Sequence, residues 1–186
     1  FFPKPANDQG LLAWTFTSPY TKPTAIQLEV LPDDRLPNQG PGWASNGNFR
    51  LSEFKVFTRP DTTAPWVQVQ LQQPQNDFSE DTTSVRYLID NDNETTWGIL
   101  PQTGTAHRCF FEISPETLVQ EGGQIKIELQ HHHKEALWIG RCRVSLTDAP
   151  RQDIQPFLAT ELDKAFSTPE DQRTIVQQLT LSRHAT

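Results

Sequence analysis

The chain has 186 residues and a formal net charge of −7, and only 35% of its residues are hydrophobic. This length suits one domain of ordinary size with a small appendage. The negative charge argues against nucleic acid as a partner, because phosphate binding requires a clustered basic surface. No apolar run approaches the roughly 20 residues of a membrane-spanning helix, so membrane insertion is not expected. The 11 Phe and 5 Trp residues supply large side chains for a buried core.

In chain order, the alternation of apolar and polar residues predicts about eight short strands. They cover residues 12–16, 26–30, 49–57, 67–71, 84–89, 109–113, 125–129 and 137–146. Short strands without helices between them favour an all-β fold, an antiparallel β-sandwich or jelly roll. From residue 150 the composition becomes helical, and Thr168-Pro169 is a suitable helix start. We therefore expect a β-sandwich domain over residues 1–149, followed by a short C-terminal helical tail or linker over 150–186.

One predicted strand carries a carboxylate at the point where its alternation changes phase. Phe49 and Leu51 share a face with Glu53, whereas the apolar residues after Glu53 have the opposite parity. A bulge would explain the change and would leave Glu53 facing inward or at a strand edge, where a bare carboxylate is costly. Glu53 then either pairs with an arginine such as Arg50 or Arg86, or completes a cation site.

The segment from Tyr87 to Trp97 concentrates oxygen-bearing side chains in one loop. Such side chains repel one another unless a hard cation or several hydrogen bonds satisfy them. The loop is therefore either a cation site or an Asx-rich turn without metal, and irregular oxygen donors suit Ca²⁺ better than Mg²⁺. We interpret it as a structural calcium site whose candidate ligands are Glu53, Asp90, Asp92, Asn93 and Thr95.

The same loop resembles a motif of known proteins. The pattern Asp-x-Asp-x-x-Thr-x-Trp is similar to the Asp-Gly-Asp-x-x-Thr-x-Trp loop of galactose-binding-like β-sandwiches, the discoidin-type and carbohydrate-binding modules. In those families the loop usually wraps a structural calcium ion, often beside a Glu that Glu53 matches. Asn91 stands where the family has Gly, and Asn tolerates a left-handed backbone. Because Glu53 precedes the loop, the reverse of the discoidin-type order, we expect a circularly permuted or jelly-roll variant.

A second resemblance covers nearly the whole chain. Residues 40–54, Gly-Pro-Gly-Trp-Ala-Ser-Asn-Gly-Asn-Phe-Arg-Leu-Ser-Glu-Phe, resemble a block in large secreted planctomycete proteins that also carry cytochrome-c-like and uncharacterised domains. The loop ending at Trp97, then His107, then residues 139–147 follow in that family's order. The resemblance implies an extracytoplasmic module, secreted or periplasmic, in proteins thought to handle complex polysaccharide.

Carbohydrate binding needs an aromatic platform for the faces of sugar rings and planar polar groups for their hydroxyls. Trp43 lies in a loop rich in Gly and Pro, and His107 follows a Thr-Gly-Thr turn. In the alternative interpretation, Trp43 packs down against its own loop and the neighbouring asparagines serve only turn geometry. The candidate sugar contacts are Trp43, Asn46, Asn48, His107 and Arg108.

Two further patterns have alternative interpretations. Cys109 and Cys142 are each in phase with apolar neighbours. They are either small buried hydrophobes or partners in a disulfide between facing strands, which would indicate export. The run His131-His132-His133 suggests zinc, but consecutive strand residues point to opposite faces, so a solvated turn is expected.

No nucleophilic-serine, zinc-peptidase or phosphate-loop motif is present in the sequence, and an enzyme is not expected. The expected function is a non-catalytic carbohydrate-binding module of an exported multidomain protein, with a structural calcium site. Its expected partners are polysaccharide or oligosaccharide and the neighbouring domains of a larger protein. The alternative is an interdomain scaffold or protein-interaction domain that binds no glycan.

Overall fold

The computed structural model of the chain describes residues 2–3, 10–133, 137–154, 168–175 and 177–178. Two compact units are distinguished, Phe1–Arg151 and Gln152–Thr186. In the second unit, Glu170–Gln172 forms a 3-10 turn, and most of the predicted helical tail lies outside the described residues. Within the described residues, no helix combines the length and the hydropathy needed to cross a membrane.

Within the described residues, eight strands form two four-stranded antiparallel sheets. They are β1 (Gly10–Thr17), β2 (Ala25–Val30), β3 (Glu53–Arg59), β4 (Val67–Gln68), β5 (Leu71–Asn76), β6 (His107–Ile113), β7 (Gln124–His131) and β8 (Cys142–Thr147). One sheet has the order β1-β7-β3-β4 and the other the order β5-β6-β2-β8. The prediction of an all-β fold with β-sandwich architecture is confirmed.

The core lies between the sheets because apolar residues recur at every second position of the strands, and so share one face. In β2, Ile26, Leu28 and Val30 are each no more than 1% exposed. Phe54 of β3 contacts Phe111 of β6 from the other sheet, with ring centroids 5.3 Å apart. The same alternation of apolar and polar residues predicted these strands from the sequence.

Cys109 on β6 and Cys142 on β8 lie on either side of β2, where they pair with Leu28 and Val30. Strands separated by one intervening strand are about 9.5 Å apart, which exceeds the reach of a disulfide. Both thiols are free. Burial raises the pKa of the Cys142 thiol to about 12 and raises the pKa of Cys109 well above its ordinary value. The two cysteines are therefore protonated, inert core residues, and they do not indicate export.

The predicted fifth strand is instead a 3-10 helix, Val85–Ile89. The Ser84 hydroxyl caps it by accepting the backbone N–H of Arg86 at 3.3 Å. The period of about three residues places Val85 and Leu88 on one face, and both are buried. The prediction was wrong because an apolar residue at every second position also occurs by chance in a short helical turn.

The connections at one end of the sandwich, here named the long-loop end, include residues 31–52 and 77–106. Those two connections are joined to each other, since the Ile99 N–H donates to Asn48 Oδ1 at 3.0 Å. Connections at the opposite end are shorter. All of the sequence-predicted functional residues lie at the long-loop end.

Candidate functional site

The acidic loop, residues 90–95, follows the 3-10 helix directly and closes on itself through hydrogen bonds. Asp90 Oδ1 accepts the Asp92 N–H at 2.8 Å, and Asp92 Oδ1 accepts the Glu94 N–H at 3.0 Å. The Thr95 hydroxyl lies 2.9 Å from Asp90 Oδ2 and 3.0 Å from the Asp92 carbonyl oxygen. Asn91 adopts a left-handed backbone with a φ of 62°. The two aspartates thus fold the loop by satisfying its own backbone.

Glu53 opens β3 and is only 1% exposed, yet within the described residues neither carboxylate oxygen makes a hydrogen bond of good geometry. The Lys55 ammonium lies 3.9 Å from Oε2, at the outer limit of an ion pair. Burial raises the pKa of Glu53 to about 7; Lys55 and the Asn91 N–H oppose this rise, while the charges of Asp90 and Asp92 add to it. A buried carboxylate without close partners is unusual, because its desolvation is left uncompensated.

A cavity of about 210 Å³ borders Glu53, Lys55 and Asn91. The structure therefore brings Glu53 to the acidic loop, close enough for Asp90 and Asp92 to repel its charge. The remaining predicted ligands, Asn93 and Thr95, belong to the loop itself, and Asn93 is exposed. Among the described residues, no three His, Cys, Asp or Glu side chains are already arranged to hold a metal ion.

Trp43 is half-buried and held by two hydrogen bonds. Its backbone N–H donates to the Trp138 carbonyl at 2.9 Å, and its indole N–H donates to the Phe2 carbonyl at 3.2 Å. Asn46 is exposed, and its Oδ1 accepts the Asn48 N–H at 3.1 Å in a local turn. Trp43 thus fastens its loop while part of its surface stays accessible.

Asn48, a predicted sugar contact, lies in the interior with 5% exposure. Its Nδ2 donates to Glu80 Oε2 at 2.8 Å, and its Oδ1 accepts the Ile99 N–H. Glu80 also binds Arg50, with 2.6 Å between Oε1 and Nη2. Arg50 therefore pairs with Glu80 and not with Glu53. No sequence pattern indicated Glu80, since no motif links residues that lie so far apart along the chain.

His107 is also interior, with 5% exposure. Its Nε2 lies 3.1 Å from the Gln102 carbonyl oxygen, its Nδ1 lies 3.3 Å from Asp77 Oδ2, and the Phe78 ring packs against it. The neighbouring Arg108 is half-buried, and its backbone N–H donates to Asp77 Oδ1 at 3.1 Å. The predicted sugar contacts that retain accessible surface are Trp43, Asn46 and Arg108.

No family model, no curated protein and no solved structure matches this chain. The resemblance to galactose-binding-like modules is therefore carried by the motif residues alone. The function has to follow from the geometry and chemistry of the chain itself.

The histidine run 131–133 differs from the expected solvated turn. His131 ends β7 and is 1% exposed. Its Nε2 accepts the Ile139 N–H at 3.2 Å, and its ring stacks on Trp138 with 5.3 Å between centroids. Burial lowers the pKa of His131 to about 3, so the ring is neutral. The prediction was wrong for this residue, although His131 is in phase with the buried Leu129 and the alternation could have revealed it.

Proposed function

We propose that this chain is a non-catalytic, extracytoplasmic carbohydrate-binding module of galactose-binding-like type, with a structural calcium ion between Glu53 and the acidic loop. The observation that carries the proposal is the Glu53 carboxylate, which is buried beside two aspartates and, among the described residues, has only the distant Lys55 ammonium and a poorly aligned Asn91 N–H as partners. A divalent cation would offset both its desolvation and the repulsion from Asp90 and Asp92. Oxygen donors of this kind are the ligands that Ca²⁺ prefers.

Glu53, Asp90, Asp92 and Thr95 would supply protein ligands, and exposed Asn93 lies in the same loop. In the present conformation, Asp90 and Asp92 each hold a backbone N–H. Asp90 Oδ2 already accepts the Thr95 hydroxyl, but it, Asp92 Oδ2 and the hydroxyl oxygen keep lone pairs that could bind a cation. The ion would cross-link the first residue of β3 to the 77–106 connection and so stabilise the long-loop end.

Carbohydrate as the ligand is supported by the motif resemblances and by the concentration of long loops at one end. Asn48 and His107 are excluded from the proposed sugar-binding surface, because their polar atoms face interior partners. That same finding favours the second candidate, an interdomain scaffold without glycan binding, since it removes two of the expected sugar contacts.

Thermal unfolding with calcium and with EDTA tests the metal site. A ligand present at 100 times its Kd stabilises the folded state by about 2.7 kcal/mol, which corresponds to a Tm shift of roughly 5–10 °C in a domain of this size. We expect EDTA to lower the Tm of the wild type by this amount and to leave Glu53→Gln unchanged. Equal Tm values in both buffers, with no calcium by elemental analysis, would exclude the cation site.

A glycan array probed in calcium and in EDTA tests the ligand class. We expect binding to a defined class of glycan, weakened in EDTA. A folded sample that binds no glycan on a broad array would refute the carbohydrate function and leave the scaffold. The two experiments are independent, because a calcium-stabilised scaffold would pass the first and fail the second.

A further inference from the structure

A second cavity, of about 340 Å³, also borders the acidic loop, and nothing in the sequence patterns indicated it. Its volume lies within the range of small-ligand sites. Residues that line it include Arg50, Thr82, Tyr87, Glu94, Thr95 and His133. They come from the end of the 31–52 connection, the 77–106 connection and the residues just after β7, so the folded chain assembles a predominantly polar cleft from three segments.

The Arg50 side chain is fixed before any ligand arrives. Glu80 holds its Nη2 at 2.6 Å and is itself held by Asn48. A Cβ on Gly98 would lie 2.8 Å from Arg50 Nη1, so glycine is needed there for the ion pair to pack. The side chain keeps 19% of its surface exposed at the cleft wall. A planar, immobilised donor of this kind loses little entropy when it binds hydroxyl oxygens.

The backbone of the cleft wall is strained at Thr82, whose φ is 70°. A β-branched residue rarely occupies the left-handed region, and such strain persists mainly where a ligand clamp or switch requires it. Close by, Tyr87 is half-buried on the 3-10 helix and offers a rigid ring with an apolar face and a polar tip. Glu94 also lines the cleft, is exposed, and supplies a carboxylate acceptor.

We propose that this cleft binds one pyranose unit of a neutral glycan, with the sugar ring on Tyr87 and its hydroxyls between Arg50 and Glu94. This assignment rests on the proposed carbohydrate function and names its binding surface. A guanidinium donor and a carboxylate acceptor in one cleft suit hydroxyls, which both donate and accept. The net charge of −7 disfavours polyanionic glycans through long-range repulsion. Because Thr95 belongs to both the cleft and the acidic loop, cation binding in the loop fixes one wall of the cleft.

Titration calorimetry with neutral xylo-, cello- and β-galacto-oligosaccharides tests the cleft in the calcium-loaded protein. We expect Tyr87→Ala to weaken binding about tenfold through loss of the aromatic platform. Glu94→Ala, at an exposed position that leaves folding intact, should weaken it about fivefold. Tyr20→Ala removes the only other tyrosine, at the opposite end of the sandwich, and should leave affinity unchanged. Thermal unfolding of each variant verifies that it is folded.

The outcomes separate the cleft from the proposed function. If the wild type binds an oligosaccharide and both Tyr87→Ala and Glu94→Ala bind it equally well, the cleft assignment is wrong and the carbohydrate function stands. Binding that is lost in Trp43→Ala alone would move the sugar to the Trp43 loop. If the wild type binds no glycan in the titrations or on the array, both proposals fail.

Discussion

The acidic loop and the Trp43 loop (residues 40–48) lie at the same end of the sandwich but satisfy their polar groups in opposite ways. In the acidic loop, Asp90 and Asp92 bond to their own backbone, and Glu53, which arrives from a distant strand, makes no hydrogen bond of good geometry within the described residues. In the Trp43 loop, the buried Asn48 bonds to the 77–106 connection through both its Nδ2 and its Oδ1.

This difference in hydrogen bonding indicates which of the two loops is the candidate for binding a cation. Buried polar groups in folded proteins are almost always satisfied, and those that are not require an explanation. Asn48 completes the fold, whereas the charge of Glu53 is only partly compensated, by Lys55 and the Asn91 N–H. The two loops contain similar residue types, and only their long-range contacts distinguish a structural from a ligand-binding role.

The largest expected effect is the pH dependence of stability that Glu53 causes in the metal-free protein. Its folded pKa of about 7 lies above the ordinary 4.5, so the folded state holds the proton more tightly and loses stability as pH rises through this window. Glu53→Gln stays neutral. Between pH 4.5 and 7, we expect the unfolding free energy of Glu53→Gln to rise relative to that of the wild type by up to about 3 kcal/mol. Solvent screening in the neighbouring cavity would reduce this difference. Urea unfolding in EDTA measures it.

His131 has the opposite effect on stability as the pH rises, and the effect is the same in the wild type and in Glu53→Gln. Its folded pKa of about 3 lies below the ordinary 6.5, so it adds stability as pH rises from 3 to 6.5. This contribution is common to wild type and Glu53→Gln and cancels in their difference. Parallel stability curves for the two proteins would show that the Glu53 carboxylate is well compensated, which would remove the contrast with Asn48.

Asn48→Ala should have the next largest effect. The substitution leaves the buried Ile99 N–H without an acceptor and removes one donor from Glu80. We expect a loss of about 2 kcal/mol, because a buried unsatisfied donor keeps its full desolvation cost. Urea unfolding with and without calcium should give the same loss, since Asn48 does not belong to the cation site. A calcium-dependent loss would contradict the structural role assigned to it.

Sequence patterns predicted the parts of the fold that depend on local order. Strands β2, β6 and β7 followed from their alternation, and the left-handed backbone of Asn91 agrees with the expectation that Asn is tolerated where the resembling motif has Gly. The acidic residues of one loop are adjacent in sequence, so their proximity was also predictable. The 3-10 helix Val85–Ile89 was not, because its apolar residues at every second position also fit a strand.

Polar contacts between residues far apart in sequence could not be predicted. These contacts determine which candidate site residues are buried and which stay accessible. From the sequence, Arg50 was a possible partner of Glu53, and only the approach of the 77–106 connection pairs it with Glu80 instead. The same approach buries Asn48 and His107, which sequence alone placed among the sugar contacts. The cleft beside Tyr87 exists only once three separate segments meet.

Thr95→Val tests the closure of the acidic loop. Valine keeps the shape of threonine but loses the hydroxyl that bonds to Asp90 Oδ2 or the Asp92 carbonyl. We expect a loss of about 1 kcal/mol without calcium, as for an ordinary hydrogen bond, and a weaker calcium affinity in addition. Thr95→Ser retains the hydroxyl and should keep both properties. If valine and serine variants bind calcium equally, Thr95 is not a ligand.

Asn46→Ala should have the smallest effect and completes the comparison between the two loops. Asn46 differs from Asn48 by its exposure, and its side chain bonds only to a local backbone N–H. Surface substitutions of this kind change stability by less than about 0.5 kcal/mol. Because the glycan is assigned to the Tyr87 cleft, oligosaccharide affinity should also change by less than about twofold. A Tm equal to that of the wild type together with a clear loss of affinity in calorimetry would instead make the Trp43 loop the sugar-binding surface. The acidic loop would then keep its proposed cation while the cleft lost its proposed ligand.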